Sequence, residues 1–318
     1  MAHNTLVTLK SGLQIPEFGI GTSPFGGLFA SVSDDEVKGV ITAAMDLGLN
    51  YFDTAPHYGM GSSEERLGQH INHLPRKSFI ISTKVGRLIV PSEKLDDPGW
   101  ENSKPAVERI FDFSAAGIER SFIESLERLN MDSVEMVFIH DPDGAADEAI
   151  NVAYPVLERM RDQGIVKTIG VGMTSHEIPT RFIYETDIDV VLIALRYTLL
   201  DQSAGVELLP AAIKKGVSVI AGGVFNSGIL ASPIEGATYN YEVASPTVLA
   251  RALEMEKFFN QRGVSLAQAA LQFPLRHAAI SAILVGCRSV AEVKSNVALF
   301  NEKISDEIWE EFETGFLL

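Results

Sequence analysis

The chain has 318 residues, 46% hydrophobic and 21% charged, enough to bury a large core, and α/β chains of this length commonly form one domain, so residues 1–318 are read as a single unit. Its 42 Asp and Glu against 26 Lys and Arg give a net charge of −16 without any block of like charge, which disfavours a nucleic-acid partner and an anionic membrane surface. A lone cysteine, Cys287, excludes an intramolecular disulfide and a cysteine-rich metal site, and with no signal-like N-terminus and no apolar run of ~18 to 20 residues the expected location is cytoplasmic.

The opening TLVTLKSGLQIPEF (5–18) holds two strand-like pieces around Lys10-Ser11-Gly12 and reads as a hairpin able to plug a barrel floor. Strands follow at 18–21, 50–53, 79–85, 135–140, 165–171, 188–195, 217–222 and 281–285. Amphipathic stretches of helical period lie between or after them at 34–48, 114–130, 145–164, 204–216 and 289–300, with a last helix at 305–315. Eight strands alternating with helices call for a parallel sheet, and in this length for an α/β fold closed as a (β/α)8 TIM barrel. A doubly wound sheet would need GxGxxG after its first strand; GIGTSPFGG (19–27) and GVGMTS (170–175) both lack the third glycine, and no GxxxxGK[ST] occurs. Two connections, 86–113 and 223–245, are too long for simple barrel loops, and both follow strand C-terminal ends, where barrel enzymes carry their sites. They are read as substrate-covering loops.

The chemistry concentrates in YFDTAPHYGMGSSEERLG (51–68), where an apolar strand ends on Asp53 and a Tyr follows at position 58. Lys84 ends the third strand and His140 the fourth, so in a closed barrel an acid, an ammonium and an imidazole share one rim, with Tyr58 reaching in from a loop. A buried carboxylate needs a partner, and Lys84 is one strand away. Lys84 is expected to lower the Tyr58 pKa, making the phenol a general acid or base, while His140 orients a substrate oxygen. Such a set moves one proton at a carbonyl or hydroxyl oxygen, so a second agent must move a hydride. No metal cluster, Ser-His-Asp arrangement or carboxylate pair competes with it.

FDTAPHYG (52–59), SSEERLG (62–68), STKVG (82–86), FIHDPD (138–143), KTIGVG (167–172) and LVGCRSVAEVKSN (284–296) resemble, in order and spacing, the signatures of the aldo-keto reductase family. The resemblance spans nearly the whole chain. It implies a (β/α)8 barrel, a nicotinamide cofactor stretched over the C-terminal face, and a tetrad of Asp53, Tyr58, Lys84 and His140. Gly172 and Met173 stand where the family usually has the Ser-Asn that binds the carboxamide, Ala194 replaces a Gln, and Gly222 replaces the nicotinamide-stacking Tyr. With TKVGR and RYTLLDQ, these departures are similar to the aldose 1-dehydrogenase branch, whose substrates include L-fucose, L-galactose, D-threo-aldoses and pyridoxal.

The resemblance further implies a pyrophosphate near Gly223, Phe225, Ser227 and Gly228, an adenine contact at Asn296, and nicotinamide positioning by other groups such as Arg196. Gly21, Thr22 and Asp53 complete the expected cofactor set. Gly286 and Glu292 occupy positions where NADP-binding members place Lys and Arg; a carboxylate repels a 2′-phosphate and accepts from a 2′-hydroxyl, which favours NAD, with NADP the alternative through Arg288. Aromatic Phe25, Trp100 and Phe113, with His57 and Arg87, are the expected substrate contacts. The reading is an NAD-dependent dehydrogenase acting on C1 of an aldose or on a pyridoxal-like hemiacetal and yielding a lactone. An NADPH-dependent carbonyl reductase is the enzymatic alternative, a cofactor-sensing regulatory subunit the alternative of another class.

Overall fold

A computed structural model describes residues 2–93 and 99–317, and in it the strand–helix rhythm closes on itself. Eight parallel strands form a barrel in the order β3 (Phe18–Gly21), β4 (Tyr51–Asp53), β5 (Ile80–Val85), β8 (Met136–His140), β9 (Thr168–Met173), β10 (Val190–Ala194), β11 (Ser218–Gly222) and β14 (Ile280–Gly286), with β14 pairing back onto β3 from Phe18↔Ile283 to Gly21↔Gly286. The fifth strand starts at Thr168, later than the expected 165, because Gly164 turns the chain at φ 73° and the Lys167 and Thr168 amides both donate to the Glu135 carbonyl.

The helices are α1 (Asp34–Asp46), α2 (Ser62–Ile71), α3 (Ala115–Leu129), α4 (Ala146–Glu148), α5 (Tyr154–Asp162), α6 (Glu177–Glu185), α7 (Leu208–Lys215), α8 (Pro246–Asn260), α9 (Leu266–Gln272), α10 (Val290–Asn301) and α11 (Asp306–Phe312). Serines open several of them: the Ser33 side chain accepts from the Glu36 amide while the Glu36 carboxylate accepts from the Ser33 amide, and Ser114, Ser245, Ser265 and Ser289 each accept from an amide three residues on. Such caps satisfy donors that the first helical turn leaves open, each contributing about 1 kcal/mol. No helix among the described residues is long and apolar enough to cross a membrane.

Alternation along each strand divides two apolar layers. Tyr51, Met136, Phe138, Val190, Leu192, Ile220, Ala282 and Leu284 pack inside the barrel, while Phe52, Val137, Ile139, Val191, Ile193 and Val219 face the helix layer with residues such as Val40, Phe122 and Leu157. Leu9 and Ile15 join the inner cluster from the hairpin β1 (Leu6–Thr8) and β2 (Gln14–Pro16). The Ser11 hydroxyl lies 2.6 Å from that of Thr168, and Lys10 donates from its amide to Ser218 Oγ at 3.0 Å. The hairpin therefore closes the N-terminal end of the barrel, as the opening sequence suggests.

Both long connections carry structure of their own. The first folds back as the hairpin β6 (Arg87–Pro91) and β7 (Val107–Phe111), Arg87 opposite Phe111; positions 94–98 lie outside the described residues. The second holds the small hairpin β12 (Thr238–Tyr239) and β13 (Glu242–Val243). Beneath it α8, α9 and α11 bury a separate apolar cluster that includes Phe259, Phe273, Trp309 and Phe312.

Candidate active site

The alternation that sends Tyr51, Phe138 and Ile220 inward sends Asp53, His140 and Gly222, two residues on, inward as well. One inward residue from each barrel strand thus rings the C-terminal mouth: Gly21, Asp53, Lys84, His140, Gly172, Ala194, Gly222 and Gly286. All eight line a single cavity of about 490 Å³.

Lys84 is 1% exposed and Asp53 3%. The ammonium spends its three donors on Asp53 Oδ2 at 2.6 Å, the Thr54 carbonyl at 2.8 Å and the Tyr58 hydroxyl at 3.0 Å. The second Asp53 oxygen accepts from Ser82 Oγ at 2.7 Å, and Ser82 in turn lies 3.0 Å from the Tyr51 hydroxyl. A charge pair this deep is held by complete hydrogen bonding, and loss of either partner leaves a buried charge at a cost of about 3–5 kcal/mol.

Tyr58 arrives on a turn whose Gly59 and Gly61 have φ of 59° and 83°. Gly26 packs against this turn so closely that a Cβ there would lie 2.6 Å from the Tyr58 carbonyl carbon, so a bare backbone at 26 holds Tyr58 forward. The Trp100 ring stacks on the phenol at 5.6 Å between centroids, and His140 meets it edge-on at 6.2 Å. Burial, reinforced by the Asp53 and Asp141 carboxylates, pushes the Tyr58 hydroxyl well above the ordinary tyrosine value. This corrects the expectation of a lowered pKa: Asp53 sits against the very ammonium meant to lower it. His140 moves the other way. Burial, then the Arg87 and Lys84 charges, hold its imidazole well below the usual range, so it is neutral at physiological pH. Its Nε2 lies 3.4 Å from Asp141 Oδ2, and its Nδ1 is buried without a partner among the described residues.

Of the other expected contacts, Gly223, Ser227 and Met173 line the cavity, as do His57 and Trp100. Several do not. Phe25 is fully buried in the core and does not line the cleft. The buried Thr22 hydroxyl donates to the Asp53 carbonyl at 2.9 Å and lies 2.8 Å from Ser63 Oγ, outside the cavity. Phe225 is wedged between two apolar clusters, and Gly228 is also absent from the cavity wall. Arg196 donates to Asp201 at 3.2 Å and to Asn240 at 3.0 Å and does not reach the cavity. Arg288 and Glu292 pair with each other at 3.3 Å, while Asn296 donates to the buried Cys287 sulfur at 3.5 Å. Burial pushes the Cys287 thiol up to about 12. Arg87 and Phe113 face a neighbouring cavity of about 390 Å³ that shares Asp141 and Thr174 with the first.

Sequence reasoning passed over Phe29, Tyr241 and Leu195. Phe29 and Tyr241 come from different loops and stack at 6.1 Å across the mouth. Phe29, Tyr241 and Leu195 all have φ between 66° and 69°, a conformation that no residue type announces. Asp141, at φ 44°, had a signal in its position directly after His140.

The profile of the aldo/keto reductase family matches residues 17–314. D-threo-aldose 1-dehydrogenase of a Pseudomonas species is 37% identical, over 100% of this chain and 99% of its own length. Pyridoxal 4-dehydrogenase of Microbacterium luteolum is 37% identical over 94% of each chain, and L-galactose dehydrogenase of Arabidopsis thaliana 32% over 92% and 86%. Among solved structures, an aldo-keto reductase of Bacillus halodurans in its holo form superposes with a TM-score of 0.79 at 23% identity, covering 98% of this chain and 96% of the other. The glycerol dehydrogenase of Gluconobacter oxydans gives 0.75 at 25%, over 99% and 95%. This chain belongs to the aldo/keto reductase family and is an NAD(P)-dependent oxidoreductase acting on CH–OH groups.

Proposed function

We propose that the chain is an NAD-dependent dehydrogenase that oxidises C1 of a cyclic aldose of the L-fucose or L-galactose type, or the hemiacetal carbon of a pyridoxal-like substrate, to a lactone. The observation that carries this reading is the Lys84 ammonium 3.0 Å from the Tyr58 hydroxyl, inside a cavity that also holds a neutral His140. Similarity to aldose, galactose and pyridoxal dehydrogenases supports the substrate class.

The rim suits a nicotinamide cofactor. Gly21, Gly172, Ala194, Gly222 and Gly286 leave backbone bare along one side of the cavity, and a Cβ on Gly172 or Gly222 would make only ordinary contacts, at 3.5–3.8 Å, with its neighbours. An extended ligand lies against such a wall without displacing side chains. Gly172, Gly222, Gly223, Ser227 and Gly286 would hold it, and it supplies the hydride acceptor when bound. NAD rather than NADP is favoured because Arg288, the cation expected to reach a 2′-phosphate, already pairs with Glu292.

The side chains then manage one proton. Tyr58 takes the proton of the C1 hydroxyl as C1 is oxidised. Lys84 stabilises the phenolate that must form first, and Asp53 balances its charge in the low-dielectric rim. His140 orients the reacting oxygen by donating a hydrogen bond from a neutral ring. Trp100 fixes the plane of the phenol. A cytoplasmic site of action belongs to the same proposal, supported by the acidic composition and the lone cysteine.

The test is absorbance at 340 nm with NAD+ or NADP+ across L-fucose, L-galactose, D-arabinose and pyridoxal, with Tyr58→Phe as control. A signal with NAD+ and one of these substrates, lost in the variant, is the expected result. NADPH consumption by aldehydes with no sugar oxidation would replace the proposal by a reductase, and tight cofactor binding without turnover by a sensing subunit.

A further inference from the structure

His57 stands one residue before Tyr58 with its ring against Trp100 at 5.1 Å and His140 at 5.6 Å, both edge-on. Its Nδ1 lies 3.0 Å from Nη1 of Arg87. A guanidinium has only donors, so Nδ1 accepts, and a neutral ring in this position carries its proton on Nε2. Nothing among the described residues accepts from that Nε2, and His57 is part of the cavity wall.

Arg87 is itself held on three sides. Its Nη2 donates to Asp141 Oδ2 at 2.5 Å, its guanidinium covers the Phe111 ring at 4.6 Å, and its backbone is paired to Phe111 in the β6–β7 hairpin. Asp141 is aimed by a left-handed turn at φ 44° whose amide donates to the Gly172 carbonyl at 3.0 Å. Gly86 allows the strand to pass into this hairpin: at φ 96° it lies under Phe113, whose ring a Cβ would meet at 2.3 Å. Burial, then the charges of Arg87, Arg109 and Lys84, bring the His57 pKa down to about 2, so the ring stays neutral throughout the working pH range.

We infer that Arg87, anchored by Asp141, fixes His57 as the Nε2–H tautomer, making His57 a second donor in the cavity that selects substrates bearing an acceptor oxygen beside the reacting carbon. For an aldose that oxygen is the 2-hydroxyl; for a pyridoxal-like substrate it is the ring hydroxyl. A ring packed edge-on between Trp100 and His140 has little freedom to turn away, so a substrate lacking the oxygen leaves a desolvated donor unmatched. His57 touches substrate in this scheme, and Arg87 is a positioning residue. The inference takes its substrates from the dehydrogenase reading above, but its central claim concerns the free protein.

Two measurements test it. Nitrogen-15 spectra of the imidazoles, with His57 assigned by comparison with His57→Phe, should show Nδ1 unprotonated and Nε2 protonated at pH 7. Arg87→Met should mix the tautomers and Arg87→Lys should restore the Nε2–H form, while circular dichroism verifies that both variants fold. Kinetically, the wild type should prefer the oxidisable sugar to its 2-deoxy analogue by about 10-fold or more in kcat/KM. His57→Phe should reduce that ratio toward one, His57→Gln should keep part of it, and Arg87→Met should lower it chiefly through KM. A wild-type ring protonated on Nδ1, or a wild type indifferent to the 2-hydroxyl, overturns the inference and leaves the dehydrogenase reading standing. Absence of all sugar turnover removes that reading instead, and the tautomer spectrum then decides the inference alone.

Discussion

The two halves of the barrel rim are built by opposite means. From β4 to β8 the inward positions are Asp53, Lys84 and His140, and the hydrogen bonds around them reach down to Ser82 and Tyr51. From β9 around to β3 the inward positions are Gly172, Ala194, Gly222, Gly286 and Gly21. One half presents charge held rigidly by other charge. The other presents backbone and space. A catalytic half must be rigid because a proton moves over tenths of an ångström, whereas a half that accommodates a long ligand gains from having nothing in the way. Substitutions in the two halves should therefore fail differently.

The largest effect should come from Lys84→Met, which strips the charged half of its centre. Activity should fall by about 10²–10⁴-fold, and the Asp53 charge left buried should cost about 3–5 kcal/mol in a urea melt. Loss of activity without loss of stability would mean that the pair is not the structural keystone its burial suggests. On the bare half, Gly222→Ala should weaken cofactor binding by about 10-fold or more by filling the space the ligand needs. Its melting temperature should stay close to the parent's, because a Cβ there finds its neighbours at 3.5 Å or beyond. Fluorescence titration with NAD+ beside a thermal scan separates the two quantities.

The charged half should also set the pH dependence of turnover. With the Tyr58 hydroxyl pushed above its ordinary value, the phenolate needed for oxidation is scarce at neutrality. The kcat/KM for oxidation should therefore still be rising above about pH 9, while the reverse reduction, which needs the protonated phenol, should be flat across neutral pH. An oxidation profile that levels off near pH 7 would restore a lowered pKa. Acid stability should change as well. His57 and His140 are both held neutral by burial in the fold, with pKa values below their unfolded value. Below about pH 6.5 the unfolded chain takes up protons that the folded chain refuses, so stability is lost as pH falls, by about 1.4 kcal/mol per pH unit for each histidine. His57→Phe should make that slope shallower, as followed by denaturant midpoints between pH 6.5 and about 4.

The same asymmetry explains what the sequence made legible. Asp53, Lys84 and His140 could be found because each puts an ionisable group at or next to the end of a hydrophobic strand, a pattern with an energetic cost that invites explanation. The strand runs were visible for a related reason, since β-branched residues buried on both faces make continuous apolar stretches. The first turn of α2 was harder to see. Ser62, Ser63 and Glu64 are buried there, with Glu64 accepting at 2.6 Å from both Thr83 and Arg128, so this helix buries polar groups where a stripe of apolar ones is expected. Gly61 opens it, with no side-chain cap. The direction of the Tyr58 shift was missed because it depends on Asp53 and Asp141 acting together with burial, a balance that spacing alone does not contain. Phe25 was expected at the site as an aromatic wall and Thr22 as part of the cofactor set, but both side chains are buried and neither lines the cavity.

The seam between β3 and β14 has a consequence for how the molecule is made. Phe18 pairs with Ile283 and Gly21 with Gly286, so one wall of the cavity joins the first barrel strand to the last. During synthesis the early strands must wait, their inner apolar faces uncovered, until β14 leaves the ribosome, and the hairpin carrying Leu9 and Ile15 has no complete barrel to seal before then. Contacts this distant along the chain form late and slowly. Chaperone demand should accordingly fall on nascent chains that stop short of β14, which already hold Asp53, Tyr58, Lys84 and His140 yet lack the closure that brings Gly286 beside Gly21.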